Sequence, residues 1–372
     1  MSQHDYNIAN GGGSAVRADI NSAMLAVQSQ NSGATAPTTT KPYMPWYDTA
    51  NGVLKFRNAA DTAWMSAIEA VAGSQGVNFR NRIINGDMRI DQRNSGAVQT
   101  VSAGSIVYTL DRFLVYAGGS SITSQRVGSV GAYSLQLTGN TGNLSIQVLQ
   151  RIEANNIVDL AGQVVTYSFD VSSTTVTVLG LFYNTPTATD NYTALNTTVT
   201  VASSIPVTPT KTRLSYTFTL PANASNGLQI FLQAGTFTSG TLSISNVQLE
   251  SGAVATPFER RPYGTELALC QRYFQKPSAF MVGGTETTNV ASFGVSLPVS
   301  MRTLPTFTPT VTSADIRIGG STTTGIAGTW SSNSMGTEAC GFAFQRTTGT
   351  WTVNASAFLN QSSPIGTLTA EL

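Results

Sequence analysis

Charge is scarce in this chain, and so are the residues most enzymes rely on. Asp, Glu, Lys and Arg make up only 10% of the 372 residues, against roughly 25% in an ordinary globular domain. Lys and Arg number 20 and Asp and Glu 19, a formal charge of +1. That balance leaves no basic excess for holding nucleic acid. The single histidine, His4, sits in a terminus that reads as mobile. Ser-His-Asp and Cys-His nucleophile arrangements, and zinc sites built on histidine, therefore drop out. Cys270 and Cys340 are the only cysteines, too few for a disulfide framework, and they read as two buried thiols. No apolar run reaches the roughly 18 residues of a membrane-spanning helix. The first ten residues are polar and lack an apolar signal core, so conventional secretion is not expected. Without secretion, the Asn-X-Ser/Thr triplets at Asn143, Asn191, Asn196, Asn223 and Asn354 read as by-products of composition.

What fills the space is Ser and Thr, roughly a quarter of the chain, with 34 glycines and 41% hydrophobic residues. A hydroxyl-rich chain with a full apolar complement points to β-sheet joined by many turns. Three segments separate. In residues 1–76, Gly11-Gly12-Gly13 precedes Ser14, an expected N-cap, and Val16, Ile20, Met24 and Val27 recur at helical spacing over 15–30. The glycines lack a preceding strand and a Gly-Lys-Ser/Thr ending, so they read as a hinge rather than a phosphate cradle. A Ser/Thr/Pro-rich linker leads to a hairpin turning at Asn51-Gly52, an expected type I′ turn between strands 46–49 and 53–57. A second short helix is expected over 61–71, with Trp64, Ile68 and Val71 on one face. So small a segment buries too little to stand without a partner surface.

Residues 77–262 alternate at period two: Leu144, Ile146 and Val148; Val165, Tyr167, Phe169 and Val171; Leu214, Tyr216, Phe218 and Leu220; Leu228, Ile230 and Leu232. One apolar face per strand predicts an antiparallel, jelly-roll-like β-sandwich. Residues 263–372 open with a short helix carrying Leu267, Cys270 and Phe274, then alternate again at Phe293, Val295, Leu297 and Val299, Ile316 and Ile318, Phe342 and Phe344, and Trp351 and Val353. This predicts a second, smaller sandwich. The fold class is thus mostly β, with a small α/β anchor at the amino end.

Among carboxylates, Asp87 and Asp91 lie four apart, which on a strand is roughly 13 Å. A glycosidase needs two carboxyls about 5–10 Å apart, so no enzyme is expected. The ordinary role for these carboxylates is pairing with Arg82, Arg89, Arg93, Arg112 or Arg260. Trp330, in a Gly/Ser/Thr-rich stretch read as a long loop over 319–336, and Tyr183 and Tyr192, flanking a loop over 184–191, are candidate flat platforms for sugar rings. Packing is the competing role for Trp330, and Trp351, Trp46 and Trp64 read as packing residues.

Three stretches resemble bacteriophage tail-fibre and related virion proteins. His4-Asp5-Tyr6-Asn7-Ile8-Ala9-Asn10, Arg17-Ala18-Asp19-Ile20-Asn21, Ser32-Gly33-Ala34-Thr35-Ala36-Pro37 and Leu54-Lys55-Phe56-Arg57-Asn58 are similar to segments that attach fibres to phage particles. Asn81-Arg82-Ile83-Ile84-Asn85-Gly86-Asp87-Met88-Arg89-Ile90-Asp91-Gln92-Arg93, with Asp111-Arg112-Phe113, resembles the opening of a carbohydrate-binding-module-like sandwich of phage tail proteins. Asn246-Val247-Gln248-Leu249-Glu250-Ser251-Gly252 and Ala255-Thr256-Pro257-Phe258-Glu259-Arg260-Arg261-Pro262-Tyr263-Gly264 resemble that sandwich's last strand and its exit.

The resemblance implies a parallel homotrimer made in a host cytoplasm and carried on the virion. Residues 1–76 would dock to tail or capsid proteins through Tyr6, Ile8, Val16, Ile20, Trp46 and Trp64. The β modules would bind host-surface polysaccharide without entering a membrane. No cofactor is implied beyond a structural calcium, as many carbohydrate-binding modules hold, with Asp87, Asp91, Asp111 and Glu250 as oxygen donors. The competing readings are a head fibre, capsid decoration or fibre adaptor without receptor binding, and a glycan-depolymerising spike.

Overall fold

The computed structural model describes residues 3–66, 79–318 and 321–372. Contacts divide the chain into two units, residues 1–78 and 79–372.

In the first unit, helix α1 (Gly13–Gln28) starts two residues earlier than the spacing predicts. Its N-cap is Gly12, and no side chain caps it, so Ser14 lies inside the helix instead of closing it. The Gly12 carbonyl takes the Ala15 and Val16 amides. His4 is not loose: its Nε2 sits 2.8 Å from Asp19 Oδ1, tying the terminal stretch to the helix. Strands β1 (Pro45–Asp48), β2 (Val53–Arg57) and β3 (Trp64–Ser66) form an antiparallel sheet. The β1–β2 connection is four residues long, since Asp48 pairs with Val53. Only Gly52 has a positive φ, so the turn is not type I′, which needs two. Asp48 shapes it instead, accepting the Ala50 and Asn51 amides. The helix expected over 61–71 begins as strand β3, because Trp64 pairs with Arg57 and packs edge-on against Trp46 at 5.2 Å. Ile68 and Val71 lie outside the described residues.

The second unit begins with the predicted sandwich. One six-stranded sheet runs, in spatial order, β13 (Thr212–Thr219), β10 (Val164–Ser173), β15 (Thr241–Ser251), β8 (Ser134–Thr138), β7 (Ile122–Val127) and β4 (Gln99–Val101). The other runs β12 (Val199–Pro206), β11 (Val178–Asn184), β14 (Leu228–Ala234), β9 (Ser145–Ile152), β6 (Phe113–Gly118) and β5 (Ile106–Leu110). Every described pairing is antiparallel. The inward residues of both sheets fuse into one core that includes Phe113, Val148, Phe169, Leu181, Ile230 and Leu249. This is the alternation read from the sequence, turned into two interdigitating layers.

After helix α2 (Tyr263–Gln271), the module expected as a smaller sandwich closes on itself. Strands β17 (Phe280–Thr285), β18 (Val290–Ser296), β22 (Ala339–Arg346), β21 (Ser321–Met335), β20 (Ser313–Ile318) and β23 (Ser356–Asn360) form a closed barrel. A short sheet of β16 (Phe274–Gln275), β24 (Gly366–Thr369) and β19 (Thr306–Pro309) accompanies it. The closure depends on β21, which is 15 residues long and pairs with a strand on either side. Its Ser/Thr content suggests a loop, but Thr is β-branched and suits a strand. Leu297 and Val299 lie past the end of β18, and Trp351 lies outside any strand, half-buried under Arg346.

Candidate functional site

The three aromatic residues singled out as sugar platforms are all inside the protein. Trp330 is 5% exposed, points into the barrel between Phe293 and Phe344, and donates its indole N–H to the Ser313 carbonyl. Tyr183 faces the sandwich core and stacks on Phe218. Tyr192 is buried, its hydroxyl donating to the Ile152 carbonyl. None offers a face to a ligand.

Nor do the four proposed calcium donors converge. Asp87 lies against Arg89 and Arg260. Asp91 accepts the Asn94 and Gly96 amides. Asp111 accepts both the Gln92 amide and its side chain. Glu250 is held by Gln248, Thr256 and Arg80. Among the described residues, no group of three or more His, Cys, Asp or Glu could hold a metal. The segment carrying Asp87 and Asp91 is a run of turns, not a strand. Asn85 pins it by bonding the Ile90 amide and the carbonyls of Ile90 and Asp111.

Other carboxylates, Glu153, Glu266 and Glu371, form a joint between the sandwich and the residues that follow it. Arg261 pairs with Glu266 of α2 and donates to the carbonyls of Asn81 and Ile83. Arg272 and Tyr273 share Glu153, with Tyr273 Oη 2.7 Å from it. Arg112, 1% exposed, lies over the Tyr273 ring and pairs with Glu371. Six of the sixteen arginines, Arg89, Arg93, Arg112, Arg151, Arg261 and Arg272, bond across the joint. Residues 81–93 and 255–264 thus take part in this joint.

The second sheet holds what the sequence reading passed over. Strands β6, β9, β14 and β11 carry apolar residues in both phases, so the outward side is not merely polar. Across the sheet, Tyr108, Leu114, Leu149, Phe231 and Phe182 stand in register and form a separate apolar cluster on the outer face. The next row is Ile106, Tyr116, Gln147, Gln233 and Gly180. Two glycines let rings lie down along the sheet. A Cβ on Gly180 would run into the Phe182 ring, and one on Gly118 would meet the Tyr116 ring at 3.3 Å. Phe182 and Phe231 are nearly parallel, 21° apart, with centroids at 5.4 Å.

Polar groups flank these rings. Gln147 Nε2 donates to Gln233 Oε1 at 2.9 Å, which orients the remaining Gln147 carbonyl and Gln233 amide. Neither of those, nor the Tyr116 hydroxyl, has a hydrogen-bond partner among the described residues. A third row, Asn184, Gln229 and Arg151, is internally bonded and buried or half-buried. The result is a face on which the Tyr108, Tyr116 and Phe182 rings are half-buried while Leu114, Leu149 and Phe231 are buried beside them, edged by amides, a hydroxyl and the Arg151 guanidinium, without a carboxylate in its three rows. The signal in the sequence was Phe231, an aromatic out of phase with Leu228, Ile230 and Leu232.

In the first unit, Tyr6, Ile8 and Ile20 of the predicted anchoring set are exposed by 40–42%. With Ala23, Met24 and Val27 they line an apolar recess of about 440 Å³. Val16 is half-buried, and Trp46 and Trp64 pack on each other instead, Trp46 being 5% exposed.

No protein-family pattern and no curated protein matches this chain. Solved structures similar to part of it include a CBM4 module (19% identity over 45% of this chain and 98% of that one; TM-score 0.30). Another is the enzymatically active domain of tailspike protein 4 from bacteriophage CBA120 (15% identity over 46% of this chain and 22% of that one; TM-score 0.31). A third is the CBM22-2 xylan-binding domain of Paenibacillus barcinonensis Xyn10C (13% identity over 45% of this chain and 97% of that one; TM-score 0.27).

Proposed function

We propose that the chain is a non-enzymatic virion fibre, a homotrimer, that binds host-surface glycan through the outer face of the second sheet. The observation that carries the glycan reading is the pairing of reclining rings with unpaired neutral donors and acceptors. Sugars present apolar C–H faces and hydroxyl edges, and a flat aromatic surface bordered by amides meets both. Such contacts are individually weak. Three copies per fibre and several fibres per particle multiply them by avidity. The first unit supplies attachment: a 16-residue helix whose only buried residue is Ala26 needs a partner surface to be stable. The apolar recess beside it is the place for a particle protein.

The reading is tested with labelled full-length protein on host cells. Binding should saturate and compete with intact particles, and Tyr116→Ala should weaken it about tenfold or more, as loss of a central aromatic contact does. Tyr116→Ala protein that adsorbs like wild type would sink the assignment of this face, leaving the apolar row to packing between copies. Attachment is tested separately: Ile20→Asp with Met24→Asp should yield particles lacking the protein while the isolated variant still adsorbs. Particles carrying the variant at normal level would refute that role for α1.

A further inference from the structure

The apolar row of the face does not stop at an open edge. It ends at Tyr108, whose ring lies 4.8 Å from the Arg93 guanidinium and whose hydroxyl donates to the Leu372 carbonyl. Arg93 in turn stacks on Phe274 at 4.0 Å, and Arg112 on Tyr273 at 3.6 Å. Between these two guanidiniums, paired with both, is the Glu371 carboxylate, its side chain 6% exposed. Arg151, beside them in the third row, gives its Nη1 to the Leu372 carbonyl and its Nε to Gln229.

Two guanidiniums braced on aromatic rings at the end of a sugar-sized platform would suit the carboxylate of an acidic sugar, because the arginine fork matches carboxylate geometry. Here that position is already filled from within the chain. Every cation bordering the face has a protein acceptor, and what remains open, Tyr116, Gln147 and Gln233, is uncharged.

We propose that Glu371 is a built-in occupant of a carboxylate pocket at the end of the face, and that it restricts the face to neutral glycans. An acidic chain laid along the rings would find both guanidiniums already paired with Glu371, so discrimination comes from an attraction satisfied within the chain. This inference rests on the glycan-binding reading of the face, but the pocket itself is testable without it.

The experiment uses full-length protein carrying Glu371→Ala or Glu371→Gln, with glucuronate and glucose as matched probes at equal ionic strength. Glucuronate should raise the unfolding midpoint of Glu371→Ala by several degrees, by binding the folded state alone. Glucose should not, and the wild type should respond to neither. Glu371→Gln keeps the shape of the side chain and guards against a folding failure of the alanine variant. It should bind polyglucuronate at least tenfold more tightly than wild type does. A folded Glu371→Gln protein with wild-type indifference to polyglucuronate, or no glucuronate-specific stabilisation of Glu371→Ala, overturns the proposal. Neutral-glycan binding with Tyr116 intact separates the two readings: if Glu371→Ala shows the glucuronate shift while the wild type binds no neutral glycan, the pocket stands and the face fails. If neutral binding is present and the glucuronate shift absent, the reverse holds.

Discussion

The sandwich puts functional side chains on its outside in two places, and they are made of opposite materials. The joint to the residues that follow is ionic and closed: Arg112, Arg261, Glu266 and Glu371 are buried or nearly so and bonded to one another or to main chain. The outer face of the second sheet is mostly uncharged, with Phe182 and Tyr116 half-buried beside a buried Phe231 and amide groups left unpaired. A chain with so little charge concentrates it where directional, specific contacts fix one module on another. It leaves uncharged the surface where we place ligand. Charge here marks the joint, and its absence marks the surface to which we assign recognition.

The contrast breaks most readily at Arg112. Arg112→Met leaves Glu371 with Arg93 alone and removes the bond to the Arg151 carbonyl. Losing one partner of a buried pair costs about 3–5 kcal/mol, read as a fall in the urea midpoint of the full-length protein. Arg112→Met with Glu371→Gln should recover much of that loss, because a buried pair replaced on both sides is often neutral. A single-variant loss below about 1 kcal/mol would show that the joint is not held by its charges.

Asp111 sharpens the same point through pH. Burial pushes its carboxyl up to about 6, against the pull of Arg93 and the bonds from Gln92. In the unfolded chain the value falls back to about 3.8. Between those two values the folded state holds the proton that the unfolded state has lost, so this group makes stability rise as pH falls from about 7 to about 4. Ionised at pH 7, Asp111 costs about 3 kcal/mol. Asp111→Asn should remove that slope, and the wild-type-minus-variant difference in urea midpoint across pH 4–7 isolates it. Identical slopes would mean that the carboxylate is better solvated than its surroundings imply.

Period-two alternation made the sandwich legible, because each inward phase of Val165 to Val171 or Leu228 to Leu232 became core. Closure of the barrel was not legible. Alternation at Phe342 and Phe344 is the same whether a sheet faces another sheet or curls on itself, and only the length and double pairing of β21 decide. The aromatic candidates failed for a related reason. Trp330 sits among Ser, Thr and Gly, which look like a loop when the pairing partners are out of view. The true outer aromatics, Phe182 and Phe231, were masked by neighbours of the other phase. Two of the three stretches lie at the joint, but its carboxylates Glu153, Glu266 and Glu371 did not stand out in the sequence, because partners such as Arg112 and Glu371 are distant along the chain.

The smallest stability effect belongs to the face and completes the comparison. Tyr116 is half-buried, its ring resting over Gly118 with no hydrogen bond to lose. Truncating it removes no buried charge and opens no enclosed cavity, so Tyr116→Ala should change stability by about 1 kcal/mol or less, near the range of surface substitutions. The same change should cost most of the measured glycan affinity. Arg112→Met should do the opposite, lowering the unfolding midpoint while leaving adsorption by the still-folded fraction intact. Scanning calorimetry and cell adsorption on the two variants form a crossed pair. If both variants lose stability and adsorption together, face and joint are one cooperative structure, and the division between recognition and rigidity falls.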